Sequence, residues 1–543
     1  MRFTTALCTG LFATAAVARS PQHVNKKLPI RAPLSAPILE TRAAATHKKH
    51  LIVPQNNKTM KYAVNGTAIP EVDFDIGESY AGLMPISEQK NASELYFWYF
   101  PSEDKKATDE ILIWLNGGPG CSSLEGVLQE NGPFIWQYGT NKPVKNNYAW
   151  SNLTNVVWVE QPVGTGFSQG IPTAQSEEEV AVQFAGFWKK SSFVETFDLQ
   201  NRKVYITGES YAGMYVPYIS SHFLDLNNTK YYDVKGAMIY DPSINYDVVL
   251  EDIPTAAFID YWGPLLNLNK TFIDDIHARA DKCGYTAFME EALTFPPKNR
   301  TLPTPPNLNY DMEGCELWND VFNAASLVNP CFDIYQVATT CPLLWDVLGF
   351  PGSFDYLPEG TDIYFNRTDV QKAINAPIQE WSECANGVLE RDTSTYSGLS
   401  VLPKVIEQTN NVIIGHGLLD FILMFNGTLM TVQNMTFNGK TGFSVPPAEW
   451  DDFYVPYHSE LSLGDLAAAG NMGSWHTERG LTVCTVALSG HMIPQYQPSA
   501  AYRQLEVLLG RVKNLGVKSD FSTQKGNFGN SFDFTSANAS MKI

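Results

Sequence analysis

Between Lys203 and Gly213 the chain reads KVYITGESYAG: a short apolar run enters a tight turn with Ser210 at its apex and the small residues Gly208 and Ala212 on either side. That pattern predicts a strand-to-helix elbow, in which small flanking residues let the backbone fold sharply and lift a serine hydroxyl clear of a sheet. The constraint reaches well beyond the turn. An elbow serine is a poor nucleophile alone, so later parts of the chain must deliver a base and an acid to it.

Two later runs have the form required. Leu481 to Leu488 is apolar and leads into Ser489-Gly490-His491-Met492-Ile493-Pro494, which puts His491 on a loop just past a strand. Val412 to Ile414 leads through Gly415-His416-Gly417-Leu418-Leu419 to Asp420, again just past a strand. The chain order is then Ser210, Asp420, His491, one of the orders in which nucleophile, acid and base recur. Histidine is scarce, nine in 543 residues, so one in this position reads as a general base. His416 competes for the role, but it precedes the acid and fits the order less well.

With these residues in view, the chain resembles the serine carboxypeptidases of the α/β-hydrolase superfamily, in their secreted fungal branch. The resemblance runs from about Tyr80 to Leu509. It is carried by Trp114-Leu115-Asn116-Gly117-Gly118-Pro119-Gly120-Cys121-Ser122-Ser123, by Glu130-Asn131-Gly132-Pro133, by WVEQPVGTGFS from Trp158 to Ser168, by GESYAG and by GHMIP. It implies an α/β fold with a central, mostly parallel sheet and an inserted, mostly helical cap region.

The strings also carry chemistry. Attack on a carbonyl builds negative charge on its oxygen, which needs N–H donors fixed in advance. The amides of Gly118 and Tyr211 fit that need, one from a glycine-rich loop after an early strand and one following the nucleophile. The resemblance assigns recognition of a free C-terminal carboxylate to Asn116, Gly117, Glu130 and Glu209. Two glutamates suit an anion only if they are protonated, and closely placed carboxyls raise each other's pKa. Peptide binding favoured by acid is the expected consequence. No metal or other cofactor is expected, since there is no His-Glu-x-x-His string and no Cys/His ligand spacing of the zinc type.

Residues 1–18 read as a signal peptide with Ala16-Val17-Ala18 as its cleavage site, and 19–50, basic and proline-rich, as a pro-segment or disordered stretch with dibasic pairs at Lys26-Lys27 and Lys48-Lys49. The remainder, 51–543, reads as one catalytic domain. Because Ser210 and Asp420 are so far apart in the chain, this domain has to close around an insertion, about 245–377, and it ends in a polar tail, about 518–543. A formal charge of −19 argues against nucleic acid and anionic membranes as partners; the resemblance implies peptide and protein C-termini as substrate. The oligomeric state is open. Eleven Asn-x-Ser/Thr sequons, at Asn57, Asn65, Asn91, Asn152, Asn227, Asn269, Asn299, Asn366, Asn426, Asn434 and Asn538, fit a glycosylated extracellular protein, with the vacuole as second choice. Of the eight cysteines, Cys8 leaves with the leader. The resemblance pairs Cys121 with Cys384. Cys283, Cys315, Cys331 and Cys341 are left with three connectivities, and Cys484, inside an apolar run, reads as a buried free thiol.

Three departures from the family pattern stand out. Leu418 replaces the first acid of a Gly-Asp-x-Asp string, which leaves Asp420 as the candidate acid. Leu423 replaces a cysteine, which predicts weak inhibition by thiol reagents. Tyr240-Asp241-Pro242-Ser243 replaces a Gly-Asn-Gly string at a pocket wall. Acyl transfer to an alcohol, or esterase chemistry, is the alternative on the same scaffold, and a non-enzymatic binding glycoprotein is a third reading. The 12% of aromatic residues points to large apolar side chains as preferred substrates.

Overall fold

Runs with no polar alternation, such as Ile111 to Leu115 or Val412 to Ile414, make strands that are covered on both faces. The computed structural model describes residues 52–189, 192–298, 302–350, 357, 359–457 and 468–523. In it those runs join an eleven-stranded sheet. In chain order its strands are β1 Ala63–Val64, β2 Ser79–Pro85, β3 Glu94–Phe100, β4 Glu110–Leu115, β5 Val156–Glu160, β6 Lys203–Glu209, β7 Asp233–Tyr240, β8 Val412–Gly417, β9 Asp451–Val455, β10 Gly470–Glu478 and β11 Leu481–Val486. They lie in the order β1-β2-β3-β5-β4-β6-β7-β8-β11-β10-β9. The central strands β5, β4, β6, β7, β8 and β11 run parallel. Antiparallel ribbons close both edges.

The main helices are α1 Glu177–Trp188, α2 Ala212–Leu226, α3 Asp247–Leu250, α4 Thr255–Leu266, α5 Lys270–Lys282, α6 Tyr285–Ala292, α7 Leu317–Val328, α8 Leu402–Thr409 and α9 Pro498–Leu508. The pleat of β4 shows why helices cover both faces of the sheet. Ile111, Ile113 and Leu115 enter one layer with Phe184 of α1, Val216 of α2 and Val405 of α8, whereas Leu112 and Trp114 enter the other with Trp158, Met238 and Leu505 of α9. Local chemistry starts α1 sharply: the Ser176 hydroxyl accepts from the Glu179 amide at 3.4 Å, and Glu177, Glu178 and Glu179 fill the first turn.

Between β7 and β8 the described regular structure is all helical. Helices α4 to α7 share a third apolar cluster, in which Ile259, Ile276, Leu317 and Val321 pack with Phe421 and Met424. Two indoles fasten them to the loop after β8: Trp262 Nε1 donates to the Leu418 carbonyl at 2.8 Å, and Trp318 Nε1 donates to that of Phe421 at 2.7 Å. The inserted helices therefore brace the segment that carries Asp420.

Disulfides join Cys121 to Cys384, Cys283 to Cys315 and Cys331 to Cys341, which selects one of the three connectivities left open by the sequence. Cys484 is free and buried, and burial pushes its thiol up to about 12. The segments read as leader and pro-segment, and the tail beyond Thr523, lie outside the described residues. No helix among the described residues is long and apolar enough to cross a membrane.

The Cys121–Cys384 bridge spans 263 residues, and closing so long a loop restricts the unfolded chain. Replacing both cysteines by serine is expected to lower the unfolding free energy by about 5 kcal/mol on the chain-entropy model, measured by denaturant titration. An unchanged midpoint would show that the bridge adds nothing to the noncovalent packing.

Candidate active site

At the end of β6 the backbone turns through Ser210, whose φ is +61°, in a region that a non-glycine residue rarely occupies. The strain is held from three sides. Ser210 N donates to the Tyr240 carbonyl at 3.0 Å, and the Ser210 carbonyl accepts from Gly213 N at 2.8 Å and from Ser243 N at 2.9 Å. Helix α2 then leaves the turn, as the elbow pattern predicts.

The loop after β4 approaches the elbow closely. A Cβ on Gly117 would stand 2.5 Å from Tyr211 N and 2.8 Å from the Ser210 Cβ, so only glycine fits. Beside it, the backbone N–H groups of Gly118 and Tyr211 have no hydrogen-bond partner among the described residues. Two unpaired amides next to a serine on a cavity wall are what a developing oxyanion needs.

Asp420 and His491 come from the loops after β8 and β11, neighbouring parallel strands in register. A Cβ on Gly417 would lie 2.0 Å from the Gly490 carbonyl, and this close approach brings the two loops together. His491 Nδ1 lies 2.7 Å from Asp420 Oδ2. Asp420 Oδ1 accepts from the amides of Ile422 at 2.9 Å and Leu423 at 3.3 Å, which aims the carboxylate. His491 N donates to the Tyr335 carbonyl at 2.8 Å. The other ring nitrogen, Nε2, is buried and has no hydrogen-bond partner among the described residues. Ser210 and His491 line the same cavity of about 820 Å³, but no hydrogen bond joins the hydroxyl to Nε2 in this structure.

His416, the competing base, is elsewhere. It is fully buried in β8, with Nε2 2.8 Å from the Leu423 carbonyl and 3.4 Å from Asp241 Oδ1. Burial pushes its imidazole down to about 4, so it stays neutral. Asp241 accepts from Gly417 N at 2.8 Å, and burial followed by the charge of Asp420 holds its carboxyl well above the usual range. Sequence reasoning flagged Tyr240-Asp241 only as a change in a pocket wall. Its observed place is behind the Asp420 loop, where it holds the Gly417 amide.

The third group gathers around Asn116. Its Oδ1 accepts from Trp114 Nε1 at 2.7 Å, which fixes the amide so that Nδ2 points at acids. Nδ2 lies 3.0 Å from Glu130 Oε1, 3.0 Å from Glu209 Oε1 and 3.3 Å from Glu125 Oε2. Burial raises Glu130 to about 7. Glu209 stands well above the usual range, from burial first and then the charges of Glu130 and Glu125, and Glu125 is raised by burial and by Glu130. The sequence did not reveal Glu125. It precedes a π-helical turn, Gly126–Glu130, whose wider pitch brings residues five apart onto one side, where α-helical spacing would separate them.

The sequence profile of the serine carboxypeptidase family matches residues 70–510. Among curated proteins, a "Probable serine carboxypeptidase" of Arthroderma benhamiae is 54% identical over 517 residues, 92% of this chain and 95% of that protein. "Serine-type carboxypeptidase F" of Aspergillus niger is 46% identical over 473 residues, 84% of this chain and 88% of that protein. Among solved structures, a prohormone-processing carboxypeptidase from Saccharomyces cerevisiae superimposes with a TM-score of 0.63 at 22% identity, over 84% of this chain and 98% of that one. This last likeness is one of fold.

The carboxyl cluster should show itself in stability. A carboxyl whose folded pKa lies above its unfolded value adds stability that is full below the unfolded pKa and is lost as pH rises through the folded one. For Glu130, raised from 4.5 to about 7, the loss across that window is about 3 kcal/mol. Denaturant midpoints measured at intervals from pH 4.5 to 7 should fall in the native protein and fall less in Glu130→Gln; equal slopes would remove Glu130 from the cluster's titration.

Proposed function

The chain belongs to the serine carboxypeptidase family, and from that premise we propose that it releases C-terminal amino acids from peptides at acid pH through an acyl-enzyme on Ser210. It is a serine-type carboxypeptidase; to this the proposal adds the residue roles, the pH range and the extracellular setting. The observation that carries the residue roles is the state of His491, whose Nδ1 is held by Asp420 while Nε2 stays buried and unpartnered beside Ser210 in one cavity. An imidazole locked in this way can accept a proton only at Nε2.

In this reading, His491 Nε2 takes the Ser210 proton as Oγ forms a bond to the carbonyl carbon of the last peptide bond. The carbonyl electrons move to oxygen, which the Gly118 and Tyr211 amides bind. As the tetrahedral adduct collapses, the C–N bond breaks and His491 gives its proton to the leaving nitrogen. Water then adds to the acyl-enzyme with His491 again as base, and Ser210 is regenerated. Asp420 orients the ring and stabilises its cationic form.

Recognition of the chain end falls to Asn116, the Gly117 backbone, Glu130 and Glu209. The raised carboxyls support an acid preference: while protonated they donate hydrogen bonds to the substrate carboxylate, and once ionised they repel it. Secretion rests on the leader-like residues 1–18 and on the exposure of the sequons at Asn57, Asn65, Asn91, Asn152, Asn227 and Asn269. Asn366 is different, because it is half-buried, with Nδ2 donating to the Trp381 carbonyl at 2.9 Å and Oδ1 accepting from its amide at 2.5 Å, so its side chain is held against the protein.

Release of the terminal residue from a blocked dipeptide is the direct assay. Ser210→Ala is expected to lose about 10⁴-fold or more in kcat; retained activity would remove Ser210 from the chemistry. KM should rise from acid to neutral pH in the native protein and rise less in a Glu130→Gln, Glu209→Gln double variant, whose amides remain donors. An unaltered KM profile would count against protonated carboxyls as the clamp.

A further inference from the structure

Ser210 lies between two cavities. One, of about 820 Å³, contains Glu209, Glu125 and His491 in its wall. The other, of about 700 Å³, shares Gly118, Pro119, Ser210, Ala385 and Asn386 with the first. If the proposed clamp at Asn116, Glu130 and Glu209 holds the terminal carboxylate, the leaving residue fills the first cavity. The residue before it, which becomes the acyl group on Ser210, then has the second.

Among the described residues that second cavity carries four acids, Asp247, Glu251, Glu390 and Asp392, and no Lys, Arg or His in its wall. Two of them share a site by backbone geometry: α3 is a single turn, Glu251 N donates to the Asp247 carbonyl at 2.7 Å, and residues four apart in such a turn lie on one side. Neither side chain has a hydrogen bond or ion pair among the described residues. Asp392 is engaged, since Oδ2 accepts from the Tyr211 hydroxyl at 2.6 Å. Met214, Tyr396 and Leu423 give the same cavity an apolar side.

We propose that this cavity selects a cationic side chain, lysine or arginine, at the penultimate position of the substrate, with Asp247 and Glu251 as the specificity-determining residues. The methylene stem of such a side chain lies along Met214, Tyr396 and Leu423 while its head reaches the two carboxyls. This reverses the apolar preference expected from the aromatic content. It rests on the carboxypeptidase reading of the site and adds to it the substrate class.

The selection depends on pH. Burial raises Glu251 to about 9, helped by the charges of Asp247, Asp252 and, from the loop after β8, Asp420. The hydroxyls of Tyr310 and Tyr396 also stand near it. Burial raises Asp247 as well. In acid Glu251 is neutral and Asp247, more exposed to solvent, is shifted toward its neutral form, so a cation gains less over an apolar chain. As pH rises, a bound ammonium or guanidinium favours the ionised acids and the discrimination grows.

The test uses blocked dipeptides that end in leucine and carry lysine or norleucine before it, which differ by one ammonium group. The lysine-to-norleucine ratio of kcat/KM should reach about tenfold near pH 6.5, the worth of a charge-assisted hydrogen bond, and fall toward one near pH 4. In Asp247→Asn with Glu251→Gln it should approach one at every pH. Because the ratio is taken within each preparation, partial misfolding cancels. A native ratio at or below one near pH 6.5, a ratio unmoved in the double variant, or a lysine preference confined to the C-terminal position would each overturn the proposal. Failure to cleave any dipeptide would count against the enzymatic reading instead. Fluorescence titration of Ser210→Ala with acetyl-lysine amide and acetyl-norleucine amide would then decide the pocket's preference, with equal binding overturning it.

Discussion

One amide nitrogen surrounded by three carboxyls is the constraint around which the catalytic end of the sheet is arranged. Asn116 Nδ2 has only two protons to offer Glu125, Glu130 and Glu209, and no Lys or Arg among the described residues pairs with them. Ionising all three in a buried site would cost far more than their hydrogen bonds return. The arrangement favours protons on the cluster, and in the proposed reading those protonated acids become donors to a carboxylate. Trp114 is essential to this arrangement: with its indole bound to Asn116 Oδ1, the amide cannot turn its oxygen toward the glutamates.

The same solution appears behind the imidazole. Asp241, His416 and Asp420 place three potentially charged groups within a few ångströms of one another, all buried. Burial pushes the His416 imidazole down and the Asp241 carboxyl up, the latter helped by the charge of Asp420. Hydrogen bonds from Ile422 and Leu423 amides serve that charge without adding a cation. Helices α4 to α7 matter to the chemistry through this loop, because Trp262 and Trp318 hold its carbonyls.

The strand pattern, the elbow and the glycine-rich loop were legible because each is a contiguous string whose local geometry decides its role. KVYITGESYAG needed no partner to predict a turn, and Ser210 has the strained φ that such a turn requires. Asp420 before His491 could be read from order along the chain. What the sequence hid lies in relations between segments or in unusual pitch. Glu125 joins the cluster through a π-turn, His416 retreats into the core because β8 is covered on both faces, and Asp241 acquires a function only once β7 and β8 are paired. The pairing of four central cysteines was likewise a spatial question. Composition could not describe the pocket beside Ser210, since aromatic residues such as Trp98, Trp114, Trp150 and Trp158 are fully buried in the core and say nothing of which side chains face a cavity.

The elbow region tolerates unmet polarity that a merely structural core would not. An unsatisfied buried donor or acceptor costs about 1–3 kcal/mol, and among the described residues His491 Nε2 is without a partner, as are the amides of Gly118 and Tyr211. Fold stability alone gives no reason to gather such groups at one end of a sheet. In the proposed reading a peptide end supplies partners that folding does not: its carboxylate meets the glutamates and its carbonyl oxygen the amides. On that reading, stability is given up for preorganisation at this end of the sheet, and substrate binding, not folding, completes the hydrogen bonding of the site.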